Sequence, residues 1–196
     1  MNTPSNRHHH GAPAAWVTRF AHLVAPGAHV LDLAAGRGRH ARYLAARGAT
    51  VLAVDRDADA LAEVSALPGI TTQVADLEGS AWPLGEARFD AIVVVHYLHR
   101  PLLAHVRAAL KPGGVLLYET FARGNEAYGR PRNPEFLLAP GELLDWAAQR
   151  PALIVVTFEQ GTMRRGADDA VVIQRLAAIA PGGAWPPVLA PEAAAL

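Results

Sequence analysis

The stretch Val30-Leu31-Asp32-Leu33-Ala34-Ala35-Gly36-Arg37-Gly38-Arg39-His40-Ala41 decides how the rest of the chain reads. The apolar run from His29 to Leu33 predicts a short strand. A turn of small residues and glycines follows, and then a helical pattern through Ala41, Tyr43, Leu44, Ala45 and Ala46. Gly36 and Gly38 permit positive φ and let a ligand approach the backbone without meeting a Cβ. The unpaired N–H groups at the start of the helix then point at whatever lies in the loop. Gly48 closes the helix, and Ala49 to Val54 reads as a second buried strand ending at Asp55. An acidic residue at that tip, about twenty positions past a glycine loop, is placed to hold the two hydroxyls of a ribose. The unit reads as a binding site for a nucleoside-containing cofactor.

Composition narrows the frame around that unit. At 196 residues the chain fits one domain with a sizeable core, and 51% of it is apolar. Eighteen basic residues balance eighteen acidic ones, so nothing advertises a nucleic-acid or anionic-membrane partner. With no cysteine there are no disulfides and no thiolate metal sites. The polar start, Met1 to Gly11, lacks the apolar core of a secretory signal, and no apolar run reaches the roughly 18 to 20 residues of a membrane helix. A cytoplasmic protein with a flexible lead over 1–11, one domain over 12–180 and a flexible tail over 181–196 is expected. The triplet His8-His9-His10 falls in that lead, where adjacent histidines rarely make a defined metal site, and no metal is expected.

Along the domain, Pro13 opens a helix over Ala14 to Val24, with Trp16, Val17, Phe20, Leu23 and Val24 at helical spacing. Asp57 caps a helix over Ala58 to Ala66. Strands are expected at Ile70 to Ala75 and at Phe89 to Val95, the second an apolar run typical of a central parallel strand. A helix from Pro101 to Leu110 leads to a turn, Lys111-Pro112-Gly113-Gly114, and a strand from Val115 to Phe121. A long irregular loop, Ala122 to Pro140, has the length of a lid or binding segment. A helix over Gly141 to Gln149 precedes two β-like runs, Leu153 to Phe158 and Ala170 to Ala177, which read as an antiparallel edge pair. The fold class is therefore α/β: a doubly wound, mostly parallel, seven-stranded sheet with an antiparallel edge hairpin. Ligands in such sheets bind at the carboxyl ends of the strands. Asp32, Asp55, Asp76 and His96 all sit at or just beyond those ends.

Taken together, these residues resemble a class I S-adenosylmethionine-dependent methyltransferase, from Val30 to about Phe121 and more loosely to Ala177. Leu31 to Gly38 resembles the family's first motif, an acidic residue followed by G-x-G-x-G, with Ala34 in place of the first glycine. Val51 to Asp55 resembles the ribose-holding motif, and Ala75-Asp76-Leu77 the adenine-side motif. Phe89 to Val95 resembles the fourth strand, and Leu110 to Leu116 the turn before the fifth. Glu119-Thr120-Phe121, Gly124-Asn125-Glu126 and Pro131-Arg132-Asn133-Pro134 are similar to small bacterial methyltransferases of the tellurite-resistance-like type. Gly36-x-Gly38-x-x-Ala41 also fits a dinucleotide fingerprint, which leaves an NAD-dependent oxidoreductase as a competing reading. Against it, Asp32 would repel a pyrophosphate yet attract the amino group of a methionine moiety.

The resemblance implies S-adenosylmethionine as cofactor, contacted by Asp32, Ala34, Gly36, Gly38, Asp55, Arg56, Asp76, Leu77 and His96. For Asp32 the plainer alternative is a carboxylate that braces the loop. Trp82 packs either near the purine or on the core. His96 and Tyr97, just past the fourth strand, are the candidate catalytic residues beneath the transferring methyl, where an aromatic face favours a sulfonium. His99, Glu119, Arg123, Arg130, Arg132 and Arg164, with Arg165 beside it, are candidate substrate contacts. Converging arginines would make a cationic mouth for an oxyanion; scattered surface arginines are the commoner case. The expected function is methyl transfer to a small-molecule acceptor, an oxyanion or soft nucleophile, by proximity and orientation. A non-catalytic S-adenosylmethionine-binding protein is the alternative.

Overall fold

The computed structural model describes residues 11–79, 82–164 and 169–183. Residues 1–10 of the lead and most of the tail, with the histidine triplet and Arg165, lie outside the described residues. Seven strands form one sheet in the order β3-β2-β1-β4-β5-β7-β6. They are β1 His29–Leu33, β2 Thr50–Asp55, β3 Ile70–Val74, β4 Phe89–Val95, β5 Leu110–Phe121, β6 Ile154–Arg164 and β7 Ala170–Ile179. The pairings among β3, β2, β1, β4 and β5 are parallel, and β7 runs antiparallel to both β5 and β6. The helices are α1 Ala15–Phe20, α2 Arg39–Ala46, α3 Ala58–Ala62, α4 Leu103–Ala109 and α5 Glu142–Ala148.

Strand side chains alternate between two apolar layers, as the period of a pleated strand requires. Leu31, Leu33, Ile92, Val94, Leu116 and Tyr118 join Val106, Leu143 and Trp146 on one face of the sheet. Val30, Val51, Val93, Val95 and Leu117 join Trp16, Phe20, Leu44 and Leu61 on the other. With both faces covered, the central strands read as unbroken apolar runs.

Several boundaries differ from those the sequence suggests. The first helix stops at Phe20 and tightens into a single 3-10 turn at Ala21–Leu23. The third helix ends at Ala62, and Glu63 to Ala66 form turns before Pro68-Gly69. Lys111 to Gly114 is not a separate turn: β5 runs through it as a bulge, pairing Leu110 with Phe89 and Val115 with Ala91. Gly113 at φ +77 accommodates the extra residues, and Lys111 Nζ reaches Asp90 Oδ1 at 2.8 Å across the bulge. The edge hairpin extends beyond both expected runs.

The segment after β5 is held at several points. Arg123 N–H donates to the Leu138 carbonyl (2.9 Å). Buried Asn125 donates through Nδ2 to the Pro131 carbonyl (3.2 Å) and accepts from Val172 N–H (3.1 Å). Arg100 clamps the segment's end through the Glu142 carboxylate (2.7 Å) and the Leu137 carbonyl (2.9 Å). Among the described residues no helix is long and apolar enough to cross a membrane.

Helix α1 secures the antiparallel edge. Trp16 is 1% exposed and its indole N–H donates to the Leu176 carbonyl of β7 at 3.2 Å. Replacing it by alanine removes a core aromatic together with that hydrogen bond, so Trp16→Ala is expected to cost about 3–5 kcal/mol in chemical denaturation. A loss below about 1 kcal/mol would show that α1 is not part of the core.

Candidate active site

The sheet grows outward in both directions from β1 and β4, so the crevice beyond their carboxyl ends is the topological switch point. Ala34, just past β1, has φ +55, and His96, just past β4, has φ +59. Non-glycine residues hold such conformations when the surrounding structure over-determines them, commonly at ligand sites. Strain on two adjacent strand ends marks this crevice as the candidate site.

The loop between β1 and α2 is fastened from below. Ala35 N–H donates to the Val54 carbonyl (3.0 Å) and Gly38 N–H to the Ala35 carbonyl (2.9 Å). Asp55 Oδ2 accepts from Gly36 N–H at 2.7 Å, while Oδ1 accepts from Asp57 N–H at 2.9 Å. Each carboxylate oxygen keeps further acceptor capacity for a ligand hydroxyl. A Cβ on Gly36 would meet no atom within 4 Å, so this glycine opens onto free space. Gly38 differs. Its hypothetical Cβ falls 2.6 Å from Val64 Cγ1, so the missing side chain makes room for Val64 beyond α3 rather than for a ligand.

Asp32 occupies the bracing role that the sequence left as an alternative. It is 1% exposed, and Oδ2 accepts the Ala41 N–H of α2 at 2.9 Å. Its Oδ1 lies 3.7 Å from His40 Nδ1, and His40 Nε2 accepts from Ala14 N–H at 3.3 Å. The carboxylate caps the start of α2 and, through His40, ties the loop to the residue before α1.

Asp76 is exposed just beyond β3, where Oδ1 accepts from Glu78 N–H (3.0 Å), and Leu77 is buried beside it. Arg56 is exposed after β2. Trp82 stacks on His105 with centroids 5.5 Å apart, and its indole donates to the Gly85 carbonyl (3.0 Å); it takes the packing role.

Next to the loop lies a cleft of about 250 Å³ lined by Glu78, His96, Tyr97, Leu98, Thr120, Phe121, Pro131 and Phe136. His96 stacks on Phe121 with centroids 4.7 Å apart. The Tyr97 hydroxyl is buried without a hydrogen-bond partner, and burial together with the nearby Glu78 carboxylate raises its pKa above the usual phenol value. Tyr118 is a core residue whose hydroxyl donates to the Tyr97 carbonyl (3.0 Å). Glu119 is 3% exposed, with Oε1 3.7 Å from His96 Nε2 and Oε2 3.6 Å from Arg175 Nη1.

The expected cationic mouth is not formed in this cleft. Arg123, Arg130, Arg132 and Arg164 are exposed and none lines it; Pro131, between two of them, does. Long guanidinium side chains on an exposed loop gain more from water than from an apolar wall. His99 leads into the 3-10 turn at Arg100–Leu102 and is also absent from the lining. The sequence reading did not assign Glu78, Leu98, Phe121 or Phe136 to the site; the signal for Phe136, 46% exposed, is a large apolar residue in a polar loop. Among the described residues no group of three or more His, Cys, Asp or Glu is placed to hold a metal. A larger groove of about 680 Å³, between α4 and α5, contains none of the candidate site residues, though Leu110, Lys111 and Pro112 of the turn motif line it.

Residues 30–114 match the family model described as a methyltransferase domain. Over that span, somewhat under half of the chain, the sequence is similar to a methyltransferase domain. A curated relative, an uncharacterized methyltransferase of Synechocystis, is 34% identical over 99 residues, 47% of this chain and 46% of the relative. The chain thus spans about half the length of that relative. TehB from Haemophilus influenzae superposes with a TM-score of 0.69 at 19% identity, over 84% of this chain and 61% of that one. An S-adenosylmethionine-dependent methyltransferase from Mesorhizobium loti gives 0.67 at 21% identity, over 86% and 100%. The 1,6-didemethyltoxoflavin-N1-methyltransferase of Burkholderia thailandensis, solved with bound 1,6-didemethyltoxoflavin and S-adenosylhomocysteine, gives 0.61 at 23%, over 85% and 76%. At these identities the likeness to solved structures establishes the fold.

The two loop glycines of this domain differ in what they tolerate. Gly38→Ala combines a positive φ with a clash against Val64, and is expected to cost about 1–3 kcal/mol in thermal or chemical denaturation. Gly36→Ala keeps the space and adds only the positive-φ cost of about 1–2 kcal/mol. Equal stability of Gly38→Ala and the parent protein would refute the packing role.

Proposed function

We propose that this domain binds S-adenosylmethionine in the crevice beyond β1, β2 and β4 and transfers its methyl group to a small molecule held in the adjacent cleft. The observation that carries this reading is the Asp55 carboxylate, fixed by Gly36 and Asp57 N–H groups beside a glycine whose face is open. That arrangement fits a ribose: two oriented acceptor oxygens next to a backbone a ligand can approach. When bound, the cofactor supplies an electrophilic methyl group on a positively charged sulfur.

In this reading Asp55 accepts the ribose hydroxyls, while Asp76 and the Leu77 N–H address the adenine. Ala34 and Gly36 let the cofactor lie against the loop. The His96–Phe121 stack and Phe136 keep water from the acceptor and offer aromatic faces to a cation. Holding donor and acceptor at attack distance supplies much of the acceleration for such a displacement. The lining contains one carboxylate, Glu78, and no arginine or lysine, which favours a neutral or cationic acceptor over an oxyanion.

The dinucleotide reading loses support from Asp32. A pyrophosphate would use the N–H groups at the start of α2, and Asp32 already takes one of them with a negative charge. Calorimetry is expected to show binding of S-adenosylmethionine and S-adenosylhomocysteine and none of NAD. Asp55→Ala is expected to weaken S-adenosylhomocysteine by roughly 10- to 150-fold, the loss of about 1.5–3 kcal/mol of charge-assisted hydrogen bonding. Binding of NAD instead, or unchanged affinity in the variant, would overturn this reading.

A further inference from the structure

We propose that the groove between α4 and α5 binds a free aliphatic carboxylate, a small molecule with an apolar chain and one negative charge. The site is separate from the crevice at the strand ends and does not depend on the methyl-transfer reading.

The groove owes its shape to α4. Ala104 and Ala108 stand one turn apart on that helix and both line the groove, as do Leu103 and Arg107. Two methyl groups are too small to fill the gap to α5. Buried Trp146 of α5 and buried Leu153 supply apolar surface from the other side. The volume, about 680 Å³, falls within the roughly 300–1,000 Å³ usual for small-molecule sites. Connected apolar surface open to water commonly marks a binding groove.

Charge selects the occupant. Among the described residues the charged lining is Arg100, Arg107, Lys111 and Arg150, all basic. Two of these are neutralised in place: Arg100 binds the Glu142 carboxylate (2.7 Å) and Lys111 the Asp90 carboxylate (2.8 Å). Arg107 and Arg150 form no ion pair among the described residues. Arg107 lies over the Trp146 ring, 4.9 Å from its centroid, and donates to the carbonyls of Trp146, Gln149 and Pro151. Those acceptors are dipoles rather than charges, and burial lowers the pKa of this guanidinium from the ordinary arginine value.

The hydrogen bonds of Arg107 grip the main chain on either side of Arg150 and so fix the base of that exposed side chain beside the groove. A carboxylate placed there meets Arg150 and offsets the charge that Arg107 carries. Its chain then lies along Ala104, Ala108 and Trp146, where each buried methylene adds affinity. A cation would meet like charge at the same point. A neutral chain would leave the positive excess uncompensated, and a small inorganic anion would leave the apolar walls in water.

The test is calorimetry of the full chain with octanoate, decanoate and dodecanoate, each kept below its micelle concentration. Affinity is expected to rise about two- to fourfold per added methylene, and decanoate to bind more tightly than decanol or decylammonium. Arg150→Gln is expected to weaken decanoate about two- to fivefold and to leave decanol unchanged. Ala104→Phe fills the groove from an exposed helix position, and is expected to abolish binding while keeping the thermal midpoint of the parent protein. No binding of the three carboxylates, equal affinity for decanoate and decylammonium, or binding that survives Ala104→Phe overturns the proposal. So does competition with S-adenosylhomocysteine, which would put the probe in the crevice at the strand ends. Binding seen only after residues 184–196 are removed, or only on dissociation of a dimer, would assign the groove to the chain's own tail or to a second copy instead.

Discussion

The hydrogen bond from Gly36 N–H to the Asp55 carboxylate joins the glycine loop after β1 to the tip of β2, and the candidate site depends on that joint. Without it the loop and the acidic residue would be separate features of neighbouring strands. With it, the carboxylate is aimed and the backbone beside it is held open. Asp32 works from the other end, tying the loop to the first turn of α2, and His40 links that brace to the residue before α1. Buried groups fix the loop from below while its upper face stays accessible. That is the preorganisation a tight cofactor site requires.

The half of the crevice proposed to take the cofactor has a framework that was largely legible in the sequence, because its signals are local. The β1 and β4 limits, the strand–loop–helix order, the antiparallel edge pair and the placing of Asp55 and Asp76 at strand tips follow from short-range pattern, and the sheet realises them. Boundaries moved where tertiary pairing outweighed turn chemistry. The lysine-proline-glycine-glycine stretch reads as a turn, yet pairing with β4 carries β5 through it as a bulge. Gly38 reads as a ligand-clearing glycine, yet the atom it clears belongs to Val64, twenty-six positions away, a contact no local pattern encodes.

The acceptor half was less legible for a physical reason. Its walls come from the ends of β4 and β5, from the segment near Glu78 and from the loop after β5, and no spacing rule links them. The arginines attracted notice because charge is easy to see in a sequence. The structure leaves them in water and lines the cleft with Pro131 and Phe136 from the same loop. Glu119 reads in the sequence as a candidate substrate contact near a strand end; its burial, and its place beside Arg175, appear only once β7 is inserted between β5 and β6.

A crystal structure with S-adenosylhomocysteine would decide between this arrangement and its rivals. The account requires both ribose hydroxyls on Asp55, the adenine beside Asp76 and Leu77, and the sulfur facing the cleft bounded by His96 and Phe121. S-adenosylhomocysteine seated in the groove between α4 and α5, or a ribose held without Asp55, would contradict it.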